Sequence, residues 1–210
     1  MPLRASWAQH GEDLALLSLA DFPEKGFYVD LGAHHPIRFS ITNALYHKGW
    51  QGLNIEANPR LIENFYKSRQ RDLNLNAAIS SSISEKLYIF KESALSTTDE
   101  ERAKWLIEQG RELIEEIEVP TRSLRYVFDE YLKNQKCDFL NLDIEGRDLD
   151  ALVSLDFDSL EESKYPAWIM LETLPPVENA LGEDSVRYLV KYGYKPVVVL
   201  PRATLLKHKP

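Results

Sequence analysis

Short apolar runs alternate with helical patterns along this chain, and several of the runs end at an acid. The runs are GFYVDL (26–31), GLNIEA (52–57), LNLNAAI (73–79), DFLNLDI (138–144) and AWIMLE (167–172). After the second run, NPRLIENFYKSRQ places Asn58 to cap a helix and Pro59 at its first position. It puts Leu61, Ile62, Phe65 and Tyr66 on one face. Ala103, Leu106, Ile107, Gly110, Leu113, Ile114 and Ile117 keep three- and four-residue spacing, which predicts one long helix. Leu124, Val127, Phe128, Tyr131 and Leu132 repeat the pattern behind a Thr121 or Ser123 cap. DSVRYLVKYGY (184–194) reads as a last helix stopping at Gly193, with KPVVVLP and ATLLK as closing strands.

Strand, helix, strand, helix implies an α/β fold with a mostly parallel sheet covered by helices on both faces. No linker or repeat divides residues 1–210, so a single domain is expected. The segment 80–121 is the irregular part and reads as a lid or substrate-wall insertion. With 25 Lys and Arg against 33 Asp and Glu, the formal charge of −8 gives no general attraction to nucleic acid or anionic lipid. One cysteine, Cys137, excludes an internal disulfide and any Cys/His metal spacing, and reads as a structural thiol. The first residues lack the apolar core of a signal peptide, and no apolar stretch approaches the roughly 18 residues of a membrane span. The expectation is a cytoplasmic protein.

In open α/β sheets, ligands bind beyond the carboxyl ends of the strands. Asp30, Leu31, Gly32 and Ala33 form the turn after the first run, where glycine permits a left-handed backbone or a close approach. Glu56 ends the next run, placed to accept hydrogen bonds from a ribose diol. A full G-x-G-x-x-G is absent: Ala33, His34, His35 and Pro36 follow Gly32. A pyrophosphate has no backbone seat there, which favours a nucleoside ligand over NAD or FAD.

VDLGAHHP, GWQGLNIEANP, FLNLDIEGRDLDALVSLDF and WIMLET, in that order, resemble the FkbM-type S-adenosylmethionine-dependent methyltransferases. AQHGEDLALL (8–17) resembles the family's Ser-Gln-x-Gly-Glu-Asp opening, with Ala8 in place of serine. The resemblance runs from about Gln9 to about Tyr194. It implies a class I methyltransferase (Rossmann-like) sheet of seven strands, the last antiparallel, and O-methylation of a sugar, glycan or related metabolite. It also implies that Gln9 closes over the cofactor, that Asp30, Gly32 and Ala33 form the first cofactor motif, and that Glu56 binds the ribose with Asn58 in the turn behind. Asn76 and Ala77 correspond to the region beside the adenine. Asp143, Glu145 and Gly146 match the Asp-x-Glu-Gly after the fourth strand. His34 and His35 depart from the family, where Asn and a small residue are usual.

Each of these residues has a plainer alternative. His34 and His35 can bind substrate, cofactor or metal, or one can serve as a catalytic base; otherwise one stacks in the turn and the other caps backbone. Asp30 can anchor the cofactor's amino group, hold the turn through backbone amides, or both. Asp143 and Glu145 would share one side of a regular strand and, with Glu172, form an oxygen-ligand metal site. Alternatively, Glu145 and Asp148 start a helix. Phe39, Tyr46 and Trp50 invite sugar stacking, with Trp50 better explained as core. The expected activity is S-adenosylmethionine-dependent O-methylation, with Asp143 and His35 or His34 at the reaction centre and a small-molecule or glycan acceptor. A divalent metal is the less favoured variant. The rival is a non-catalytic nucleoside-binding scaffold module; a nicotinamide enzyme is disfavoured by the missing glycines.

Overall fold

A computed structural model describes residues 5–173 and 177–209. Its elements run α1 (Glu12–Ser18), β1 (Phe27–Leu31), α2 (Ile41–His47), β2 (Gln51–Glu56), α3 (Pro59–Ser68), β3 (Leu73–Asn76), β4 (Ala78–Ile79) and β5 (Ser84–Phe90). They continue with α4 (Glu100–Glu108), β6 (Leu113–Arg122), α5 (Leu124–Val127), β7 (Phe139–Leu142), α6 (Asp148–Leu155), β8 (Trp168–Glu172), α7 (Asp184–Lys191), β9 (Tyr194–Val199) and β10 (Ala203–His208). Seven strands form the main sheet in the order β3-β2-β1-β7-β8-β10-β9. β1 pairs parallel with β2 and β7, as do β7 with β8 and β2 with β3. β10 alone runs antiparallel, against both β8 and β9. This is the seven-stranded sheet with its last strand antiparallel that the resemblance implies, and it fixes ligand chemistry to the end where β1, β2, β7 and β8 all terminate.

Alternation along the strands sends side chains to two cores. Val29, Leu31, Leu53, Ile55, Leu140, Leu142, Ile169 and Leu171 pack on one face against Leu124 and Val127 of α5, Leu152 and Leu155 of α6, and Leu189 of α7. Tyr28, Phe139, Trp168, Met170 and Leu205 point to the other face, against Leu16 of α1 and Leu45 of α2. Trp50 is fully buried there, stacked 5.3 Å from Phe22, so it is core and has no part in sugar stacking. Both faces are covered, which is why these strands read as near-continuous apolar runs.

The caps expected for two helices are present. The Asn58 side chain accepts the Arg60 N–H with Pro59 at the first helical position, and Ser123 rather than Thr121 caps α5. The long helix across Ala103–Ile117 is not. α4 stops at Glu108, Gly110 turns with φ +77°, and Leu113–Arg122 is strand β6. Leu113, Ile117 and Val119 share the inner side of a two-residue alternation while Ile114 is exposed. A spacing of four satisfies both periods, so those residues mimic a helical face. Nor is 73–79 one strand: β4 leaves the main sheet at Ala77 and joins a three-stranded sheet, β4-β6-β5. The 80–121 segment is therefore a built unit, an antiparallel β5/β6 pair with α4 between its strands. α2 carried no sequence signal strong enough to place it. Among the described residues, no helix is long and apolar enough to cross a membrane.

Candidate active site

A cavity of about 330 Å³ opens at the carboxyl ends of β1, β2, β7 and β8. The turn after β1 forms one wall. Gly32 and Ala33 donate their N–H groups to the Ile55 carbonyl at 3.0 and 3.1 Å. Gly32 has φ +72°, and a Cβ there would lie 1.9 Å from the Asp143 carbonyl oxygen. The close approach that this glycine permits is thus to the backbone after β7, and it locks the first turn to the fourth-strand turn.

Asp30 is 2% exposed yet lines the cavity. It accepts the Thr42 hydroxyl at 2.6 Å and the Asn141 amide at 2.9 Å, so its partners are side chains and not the backbone amides anticipated. Burial raises its pKa, while those two hydrogen bonds oppose the rise. Glu56 also lines the cavity. Its two oxygens accept the Asn58 N–H at 2.7 Å and the His34 N–H at 2.9 Å, which fixes the carboxylate. Burial raises its pKa against these bonds. Gln9 and Ala77 line the cavity as well.

Three expected site residues do not line it. Asn58 caps α3. Asn76 donates to the Glu56 and Ala57 carbonyls at 2.8 and 2.9 Å, stitching β3 to β2. His35 turns its Nδ1 to accept the Ile37 and Arg38 N–H groups at 3.1 and 2.9 Å. The plainer alternative therefore fits the pair: His35 caps backbone, and His34 stacks 6.5 Å from Phe39. His34 does face the cavity, with Nε2 2.9 Å from the Ser93 hydroxyl. Burial, then the charges of Arg38 and His35, lower its pKa to about 4, so the imidazole is neutral at pH 7. Tyr46 lies under Arg69 and Arg71, outside the lining, whereas Phe39 lines the rim.

Asp143, Glu145 and Glu172 converge with their oxygens within 4.8 Å of one another. They do not do so along a regular strand: β7 ends at Leu142, and Glu145 has φ +53°. Glu145 pairs with Arg102 at 2.9 Å and Glu172 with Arg202 at 2.7 Å. Asp143 faces the open cavity, surrounded by protein on its other sides, and no hydrogen bond reaches its side chain among the described residues. Its side chain is open to the cavity, but the chain packed around it, then the charges of Glu172, Glu145, Asp148 and Asp30, raise its pKa well above the ordinary aspartate value. Burial and Glu172 raise Asp148, which starts α6, to about 7.

Sequence reasoning missed the cations. Arg102 comes from α4 and Arg202 from the β9–β10 connection, and only tertiary convergence brings them to Glu145 and Glu172. It also missed Arg69, 1% exposed, which donates to Pro36 O at 2.7 Å, Ser40 Oγ at 3.1 Å and the Tyr28 hydroxyl at 2.9 Å. Asp72 lies 3.8 Å from its guanidinium. A buried charge so fully paired holds the Pro36–Ser40 wall of the cavity in place. Ser93–Thr98 of the insertion form the facing wall.

The methyltransferase FkbM domain model matches residues 30–196, well over half of the chain, and the chain belongs to this family. No protein of curated function matches it with significance. Among solved structures, precorrin-6y C5,15-methyltransferase from Geobacter metallireducens GS-15 is similar at 11% identity and a TM-score of 0.45, over 92% of this chain and 83% of that one.

Proposed function

We propose that this methyltransferase uses S-adenosylmethionine to methylate a hydroxyl oxygen of a sugar, glycan or related small metabolite. One observation carries the reading: a single cavity has Glu56 at the end of β2 on one side and, after β7 on the other, Asp143, whose side chain has no hydrogen-bond partner among the described residues. Its volume, about 330 Å³, suits a nucleoside-sized ligand. Ile55, Ala77, Ile79 and Leu142 offer an apolar slot for a purine, and the fixed Glu56 carboxylate keeps lone pairs for two ribose hydroxyls. Asp30 orients the first turn through Thr42 and Asn141.

Bound there, S-adenosylmethionine supplies an electrophilic methyl carbon for in-line displacement by the acceptor oxygen. The chain has to align that oxygen and receive its proton. Asp143 suits both tasks, because a carboxylate whose pKa is raised is a stronger base when ionised. His34, lowered to about 4, is the weaker base and serves as a neutral wall. A metal-free mechanism is preferred because two of the three carboxylates are already neutralised by Arg102 and Arg202. The 80–121 unit, one wall of the cavity, is proposed to cover the acceptor.

The test is transfer of a labelled methyl group from S-adenosylmethionine to a panel of sugar and glycan acceptors. Wild type should label at least one, and Asp143→Asn should lower turnover by about 10²-fold or more. Binding of the methyl donor without transfer to any acceptor would favour the non-catalytic scaffold.

A further inference from the structure

Two contacts close the rim of the cavity between segments far apart in sequence. Arg38 Nη1 and Nη2 each donate to Glu92 Oε1 at 3.1 Å, and Nη2 also reaches Oε2 at 3.2 Å. Beside them, His34 Nε2 meets Ser93 Oγ at 2.9 Å. All four residues line the cavity. The Arg38 and Glu92 side chains are 44% and 51% exposed, whereas Leu142 and Leu171 are fully buried, so the pair marks the mouth and not the floor.

The two sides differ in how they are held. At its far end the Glu92–Thr98 segment is anchored by Thr97 Oγ1, which donates to the Glu145 carbonyl at 2.9 Å, and then by the partly buried Arg102–Glu145 pair. At its near end it runs straight out of β5, where the Lys91 N–H donates to the Glu112 carbonyl at 2.9 Å and the Phe90 N–H to Ser96 Oγ at 3.3 Å; across the mouth, the exposed Arg38–Glu92 pair is the weaker tie, because solvent and salt screen it. Across the mouth, two non-glycine residues with left-handed backbone bracket the facing loop, His34 at φ +54° and Phe39 at φ +60°. Strain of this kind concentrates at ligand clamps and switch segments. Phe39, 40% exposed, carries the Arg38 guanidinium 4.1 Å above its ring and aims it at Glu92.

We propose that Arg38 and Glu92 form a latch. When the pair parts, the Arg38 and Glu92 side chains swing away from each other, and the widened mouth admits and releases the bound ligand. The proposal rests on the cavity binding the cofactor named above, so the probe is S-adenosylhomocysteine. Association and dissociation rates are measured by stopped flow, and affinity by calorimetry, for wild type, Arg38→Gln, Glu92→Gln and the double variant. Each single variant should raise both rates by about two- to fivefold, the range expected of one exposed ion pair, with little change in affinity. The double variant should match the singles, and wild type in high salt should approach them. Unchanged rates in Glu92→Gln would overturn the latch. So would a faster dissociation confined to Arg38→Gln with weaker affinity, which would make Arg38 a direct ligand contact. A wild-type chain that binds no S-adenosylhomocysteine would overturn the cofactor reading, and the latch with it.

Discussion

Gly32→Ala probes the lock between the first turn and the β7 turn. Two penalties add. The new residue keeps φ near +72°, and a left-handed L-residue costs about 1–2 kcal/mol. Its Cβ would also stand 1.9 Å from the Asp143 carbonyl oxygen and 2.9 Å from the carbonyl carbon. Backbone cannot swing aside as a side-chain tip can, so the β7 turn has to shift, an overpacking penalty of about 1–3 kcal/mol. Gly110→Ala supplies the control, since Gly110 has φ +77° and nothing within 4 Å of its added Cβ. Urea unfolding should place Gly32→Ala below Gly110→Ala by about 1–3 kcal/mol at equal m value, and both below wild type. Turnover should fall in Gly32→Ala alone, because the residue displaced is Asp143. Equal losses in the two variants would refute the backbone contact as the reason for this glycine.

The acids around Asp143 predict an unusual pH profile. Asp143, Glu145 and Asp148 all have raised pKa values, so the folded state binds more protons than the unfolded state above about pH 4. Their contribution to stability should fall as pH rises from about 4 through about 7, and Asp148→Asn should flatten part of that slope; a variant with the wild-type slope would argue against it. Exchanging Ser80–Leu113 for another sequence of the same fold should change acceptor use far more than cofactor affinity. The reverse outcome, measured by titration and product analysis, would make the segment part of the cofactor seat.

The parts legible in the sequence are those governed by local pattern. β1, β2, β7 and β8 are buried on both faces, so burial writes them as apolar runs, and their ends at Asp30, Glu56, Asp143 and Glu172 could be marked. Asn58 could be read as a cap because a cap depends on its own two neighbours. β6 was not legible, because Leu113 and Ile117 satisfy two periods at once and only pairing with β5 decides between them. Asn76, at the end of β3, and His35, in the loop after β1, are polar residues whose groups go to nearby backbone, a choice that depends on loop geometry. Arg38, Arg69, Arg102 and Arg202 were invisible as site residues because each meets its partners across separate elements. An arginine in an exposed-looking stretch such as KSRQRD gives no sign that it will be buried.

The central claim is that this cavity holds S-adenosylmethionine through Glu56. Calorimetric titration of wild type and Glu56→Ala with S-adenosylmethionine, and of wild type with NAD, tests it most directly. Each charge-assisted hydrogen bond to the carboxylate is worth about 1.5–3 kcal/mol. Wild type should therefore bind S-adenosylmethionine and not NAD, and Glu56→Ala should bind it at least about tenfold more weakly while unfolding cooperatively. Binding of NAD in its place, or an affinity unchanged in Glu56→Ala, would contradict the claim.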